Sequence, residues 1–318
     1  MLDILVITFP FFALVLCGYF AVRRHMLPQL AIPGLNSFVL YFALPCMLYR
    51  FGSTTPLAQL LDAGVLGAYL LCALLTVALT MAVTLRRAGW NNAAFGALVA
   101  AFPNTGFMGV PLLVALLGPR ASGPAIVSMA VDLVVTTSLC IALSRLGGAS
   151  GQSSGAALRN ALSSMARNPM PWAILLGGFA SGAGIVLPGP LMKTVGLLAD
   201  AASPVALFTI GAVLARSQMN AGEATPVGDF LPVALIKLLV HPLLMLGIWY
   251  GARAAGLQLD TFALGVLVMV ACLPSASNVA LLSERYGADT GRIARIILVS
   301  TALSFFTFSG AVALLKQA

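Results

Sequence analysis

Two short stretches, Pro103-Asn104-Thr105-Gly106 and Pro274-Ser275-Ala276-Ser277-Asn278, place helix breakers and small polar side chains inside long apolar runs. A proline removes one backbone donor and displaces the carbonyl four residues earlier, so each stretch interrupts the helix that carries it. In hydrocarbon an unpaired peptide group costs about 2–7 kcal/mol, and such backbone persists only against protein, water or a ligand. An interruption also leaves a half-helix whose N-terminal amides and positive dipole end favour an anion, with Asn, Ser and Thr as caps or extra donors. The chemistry on offer is capture of a carboxylate, and the candidate substrate-binding residues are Pro103, Asn104, Thr105, Gly106, Pro274, Ser275, Ser277 and Asn278. Pro10, Pro45, Pro204 and Pro242 lack an Asn/Ser cluster and read as structural kinks.

Ionisable residues deep in apolar sequence are the second group, because a charge at mid-bilayer costs at least about 2.5 kcal/mol and needs a partner or water. Asp132 and Lys237 lie near the middle of their runs, His241 follows Lys237 by one helical turn, and Asp200 lies outward of Pro204. Lys237 and Asp132 are expected to form a supporting pair, Lys237 holding positive charge near the substrate and Asp132 serving as a proton carrier. With His241 they are the candidate support and coupling residues. The five cysteines, Cys17, Cys46, Cys72, Cys140 and Cys272, all fall in apolar sequence without a CxxC pattern, so packing is expected and no metal or cofactor. Enzyme function is not expected: the two histidines, His25 and His241, form no HExxH pattern, and no organised base stands beside Ser275 or Ser277.

The elements that must position these residues are membrane helices. Of 318 residues 60% are hydrophobic and 8% charged, far from the quarter charged residues of soluble domains. Apolar runs near 3–22, 31–51, 62–85, 92–117, 124–145, 170–187, 191–215, 230–251, 260–283 and 292–314 are each long enough to cross the bilayer and show no barrel-like alternation. The formal charge of +8 sits at the ends of these runs and forms no basic stripe, which excludes nucleic acid as a partner. With the first span starting outside, the inner ends collect Arg23, Arg24, Arg86, Arg87, Arg145, Arg159, Arg167, Arg216, Arg285, Arg292 and Arg295. The outer ends hold only Arg50, Arg120, Lys193, Arg253 and Lys316, so both termini are expected outside. Apolar sequence begins at Leu2 with no basic n-region or cleavage site, and the first segment is expected to stay as a span.

A Gly/Ser joint followed by Leu158, Leu162 and Met165 at helical spacing reads as a hinge and a short inner-surface helix over 147–169. It divides the chain into 1–146 and 170–318, each with five spans, and an odd number per half makes inverted repeats the economical reading. Pro45 in span two matches Pro204 in span seven, and Pro103-Asn104 in span four match Pro274 and Asn278 in span nine. Spans four and nine are therefore expected to cross as broken helices near the midplane.

At these residues the chain resembles the auxin efflux carrier family, which includes plant auxin exporters and bacterial malonate and malate carriers. The likeness is carried by "NSFVLYFALPCMLYRF", "FPNTGFMGVPLL", "SPVALFTIGAVLA", "KLLVHPLL" and "LPSASNVALLSERYGAD". It implies an all-α integral membrane fold of ten helices in two inverted sets of five. Spans one, two, six and seven would form a scaffold dimerising through two and seven, and the rest a mobile transport domain that binds substrate at the crossing of four and nine. The chain lacks the long hydrophilic loop of many plant exporters, and Asp62 lies only at the edge of span three, so a bacterial-type carrier is the closer match.

The expectation is a secondary carrier of a small organic anion, a dicarboxylate such as malonate or malate, working by elevator-like displacement in the inner membrane, with a proton or sodium ion as the coupled species. No Walker A pattern supplies ATP binding. Its rivals are a cation/proton antiporter of the same architecture and an exporter of an aromatic carboxylate such as auxin.

Overall fold

The computed structural model describes residues 2–146, 169–219, 226–257 and 259–315; the expected joint and surface helix lie outside these, apart from Pro169. In chain order the helices are α1 (Leu2–Arg23), α2 (Ala31–Thr54), α3 (Ala63–Ala101), α4 (Thr105–Leu117), α5 (Pro119–Arg145) and α6 (Pro169–Ala183). There follow α7 (Gly189–Met219), α8 (Val227–Ala254), α9 (Thr261–Ala271), α10 (Asn278–Arg285) and α11 (Thr290–Leu315). Six stretches are long and apolar enough to cross a membrane: Ala31–Thr54, Leu57–Ala101, Pro119–Arg145, Gly189–Arg216, Val227–Ala254 and Thr290–Leu314. Shorter apolar helices cover Thr8–Arg23, Thr105–Leu117 and Thr261–Ala271. Among the described residues the one β-type pairing is an isolated antiparallel bridge between Pro103 and Ser275.

Proline chemistry explains much of the local geometry. Wide π-type turns occupy Val39–Ala43, Thr105–Gly109 and Ile236–Val240, and each ends two residues before a proline: Pro45, Pro111 and Pro242. Extending the turn to i→i+5 makes room for a ring that would otherwise strike the carbonyl one turn back. A fourth wide turn, Asp132–Thr136 in α5, has no proline after it and begins at a buried carboxylate. Gly89 breaks α3 with φ 72° and ψ 168°, a conformation open to glycine and strained for any side chain.

The described residues form two compact units. The first holds residues 2–62, 105–127 and 169–219. In it α1 packs along α7 and α2 along α6. Glycines allow both approaches: a Cβ on Gly18 would overlap the Phe208 carbonyl, and one on Gly211 the Val15 carbonyl. Between α2 and α6 a Cβ on Gly177 would stand 2.7 Å from the Tyr49 carbonyl oxygen and 3.0 Å from the Gly52 Cα. Arg50 and Asp200 form an ion pair at 2.7 Å.

The second unit holds residues 63–104, 128–146, 226–257 and 259–315. Its core includes α9, where Leu264, Val266, Leu267, Val268, Val270 and Ala271 are each about as buried as a side chain can be. At one end a polar clamp ties three helices together. Arg292 of α11, 4% exposed, donates from Nε to the Asp229 carbonyl at 2.7 Å and from Nη1 to the Asn92 carbonyl at 2.7 Å. Gly96 makes room for that guanidinium, with Nη1 3.1 Å from where a Cβ would stand. Asp289 in turn caps the start of α11 by accepting from the Arg292 amide, and its own amide donates to Asn92 Oδ1.

Candidate functional site

Within the second unit α3 stops at Ala101 and α9 stops at Ala271, each at the proline stretch that follows. The two interruptions meet. The Asn104 amide donates to the Pro274 carbonyl at 2.8 Å, and the Ala276 amide donates to the Phe102 carbonyl at 2.9 Å. Around the Pro103–Ser275 bridge these bonds make a minimal antiparallel ribbon, the form that two extended stretches take when prolines forbid helix. A third helix contributes: the Ser275 amide donates to Ser300 Oγ of α11 at 3.2 Å, and that hydroxyl donates to the Ile297 carbonyl at 3.0 Å.

The ribbon alters one expectation. The amides of Asn104, Ser275 and Ala276 are taken up by the protein itself, because paired breaks satisfy each other more cheaply than an absent solute could. What stays unpartnered is side-chain chemistry. Ser275 Oγ and Asn278 Oδ1 are buried with no hydrogen-bond partner, and Ser275 as a residue is 1% exposed. Ser277 precedes α10 half-buried and makes no side-chain cap. Asn104 is 4% exposed. Thr105, which opens α4 in the first unit, is fully buried with Oγ1 unpartnered, and Gly106 follows it in the wide turn.

The deep ionisable residues also lie in the second unit. Lys237, in the wide turn of α8 and fully buried, has its Nζ 2.9 Å from His241 Nδ1 and donates to the Ala271 carbonyl at 3.0 Å. With Lys237 as the ammonium, which has no lone pair, Nδ1 is the acceptor and the imidazole proton sits on Nε2. Nε2 is buried and makes no hydrogen bond. Asp132, also fully buried, accepts from Tyr69 Oη at 2.6 Å and from Thr136 Oγ1 at 3.1 Å, and its main-chain carbonyl accepts from Thr137 Oγ1 at 2.7 Å.

Asp132 and Lys237 feel one another electrostatically but form no direct ion pair, and each has neutral partners of its own. Their spacing in sequence said nothing of this, since partners from α3 and α9 reach each group first. Asp200 is occupied by Arg50. Sequence reasoning missed Tyr69 and Ser300. An apolar helix tolerates a tyrosine or serine anywhere, so only their contacts distinguish them. No cluster of three or more His, Cys, Asp or Glu that could hold a metal ion occurs among the described residues.

Compared with known proteins, the chain matches over residues 3–312 the profile of a family described as "Membrane transport protein". It is 29% identical over 319 residues to a Rhizobium meliloti protein named "Putative malonate transporter", an alignment that covers 100% of this chain and 97% of that relative. It is 26% identical over 294 residues to the "Uncharacterized transporter YfdV" of Escherichia coli, covering 88% of each. A Methanothermobacter thermautotrophicus protein named "Uncharacterized transporter" is 27% identical over 299 residues, 92% of this chain and 91% of its own.

Proposed function

The chain belongs to the membrane transport protein family, that of the auxin efflux carriers, and on that premise we propose that it is a secondary carrier of a small dicarboxylate such as malonate or malate. It is a multi-pass membrane protein. The observation that carries the substrate class is the crossing itself: two interrupted helices hydrogen-bonded to each other, with Ser275 and Asn278 holding buried polar atoms that the fold leaves without partners. Buried polar groups are normally satisfied, so atoms left open beside a break are places for a polar solute or water. A serine hydroxyl donates to a carboxylate, and an asparagine presents its Nδ2–H groups when its side-chain amide is turned over. Malonate takes precedence among carboxylates because a full-length relative carries that name.

The expected architecture, two inverted repeats of five spans with a scaffold and an elevator-like moving body, draws support from the glycine contacts. Gly177 and Gly211 each stand 159 positions after Gly18 and Gly52, so the α1–α7 approach at Gly18 and Gly211 is repeated, with roles exchanged, by α6 and α2 at Gly177 and Gly52. Pro45 and Pro204 keep the same interval. The four scaffold spans fall in the first unit, which also takes residues 105–127. A homodimer through spans two and seven, an inner-membrane location, outside termini and a coupled proton or sodium ion complete the proposal. The antiporter reading is weaker because Asp200 is bound by Arg50 and both oxygens of Asp132 accept hydroxyls.

Proteoliposomes tested with labelled malonate, malate and indole acetate under imposed proton or sodium gradients examine the reading directly. Saturable malonate or malate uptake is expected, and Ser275→Ala should weaken it at least severalfold while leaving thermal stability unchanged, since that hydroxyl makes no internal bond. Saturable cation movement without any response to carboxylates would replace the carrier with the antiporter.

A further inference from the structure

The interrupted helices present two C-terminal ends as well as N-terminal ones. Each C-terminal end carries roughly half a negative charge and carbonyls without helical partners. Left bare beside the crossing, those ends would repel the anion that the opposite ends attract. In this chain the α9 end is met from α8. Lys237 Nζ donates to the Ala271 carbonyl, the last residue of α9, at 3.0 Å. The same ammonium holds His241 at 2.9 Å. The wide turn ahead of Pro242 is where α8 carries Lys237. Neither residue is exposed, so the pair is part of the interior and cannot be replaced by solvent.

We propose that Lys237 is a positioning and specificity-determining residue for anion charge: it caps the C-terminal end of α9, which leaves the N-terminal end of α10 at Asn278 as the unbalanced, positive end at the crossing. This rests on the anion-carrier reading and adds to it that the lysine acts through a helix end and not by touching substrate. A lysine serving only to balance Asp132 would have that carboxylate as its hydrogen-bond partner; Asp132 instead takes Tyr69 and Thr136.

The test compares Asp132→Asn with the double variants Asp132→Asn/Lys237→Met and Asp132→Asn/Lys237→Arg, so that no unmatched carboxylate is buried when the lysine charge is removed. Malonate uptake is measured in proteoliposomes, and malonate binding to the same proteins in detergent gives the ratio where turnover is lost. The methionine variant should raise the malonate KM or Kd about tenfold over Asp132→Asn, and narrow the preference for malonate over its singly charged monomethyl ester. The arginine variant should stay near the Asp132→Asn value. Equal affinity in Asp132→Asn and Asp132→Asn/Lys237→Met overturns the proposal, as does a fall in Vmax with KM and charge preference unmoved. Absence of saturable carboxylate uptake and binding by the unsubstituted protein refutes the carrier reading itself, a failure seen before any substitution is made.

Discussion

Tyr69 and Asp132 meet at 2.6 Å in a part of the second unit where neither side chain reaches solvent. A carboxylate so placed depends on its donors, since no water replaces one that is lost. Tyr69→Phe is therefore expected to destabilise the protein by about 1–3 kcal/mol, and the loss should shrink when Asp132→Asn is present. Thermal unfolding of the purified variants in one detergent measures both; an unchanged midpoint for Tyr69→Phe would show that the bond contributes nothing. At this scale the sequence exposed Asp132, Lys237 and His241, because charge is rare in apolar runs. It did not disclose their partners. Lys237 bonds a carbonyl of α9, and backbone carbonyls look alike at every position of a sequence.

Among elements, the helix breaks were legible and their mutual pairing was not. A proline followed by small polar residues announces an interruption wherever it stands, whereas the ribbon joining Phe102–Asn104 to Pro274–Ala276 depends on two stretches far apart in the chain. The wide turns ahead of Pro45, Pro111 and Pro242 show a further route by which a helix absorbs a proline without ending. Glycines divide by what surrounds them. Gly211→Ala places a methyl on the Val15 carbonyl, and because backbone cannot step aside, α1 and α7 must separate. Its folded yield after detergent extraction should fall severalfold or more. Gly67→Ala, in α3 with open space around it, should be tolerated and gain roughly 0.5–1 kcal/mol of helix stability. Size-exclusion profiles of the two variants side by side decide this, and equal yields would contradict the close approach.

For the whole molecule the outstanding question is which loops face which side. In a background with the exposed Cys17 and the half-buried Cys46 replaced by serine, so that the remaining native cysteines are buried, a cysteine introduced at Val186 or at Leu257, 87% and 59% exposed, should react with an impermeant maleimide added to intact cells. One at Met26, 80% exposed, should react only after the membrane is opened. The reverse pattern would invert the proposed topology. Composition and the length of the apolar runs determined that this is a helical membrane protein, because a chain 60% hydrophobic and 8% charged suits lipid and its runs lack the alternation of barrel strands. Its motifs determined where helices break and which residues are chemically unusual, since proline geometry and the cost of burying charge act locally. Tertiary structure alone decided that the breaks bind one another, that Ser275 and Asn278 keep open polar atoms, and that Lys237 bonds the Ala271 carbonyl instead of a carboxylate. Those outcomes turn on which groups from distant segments come within 3 Å or so of one another, and hydrogen bonding at that range is selected by packing and not by local sequence.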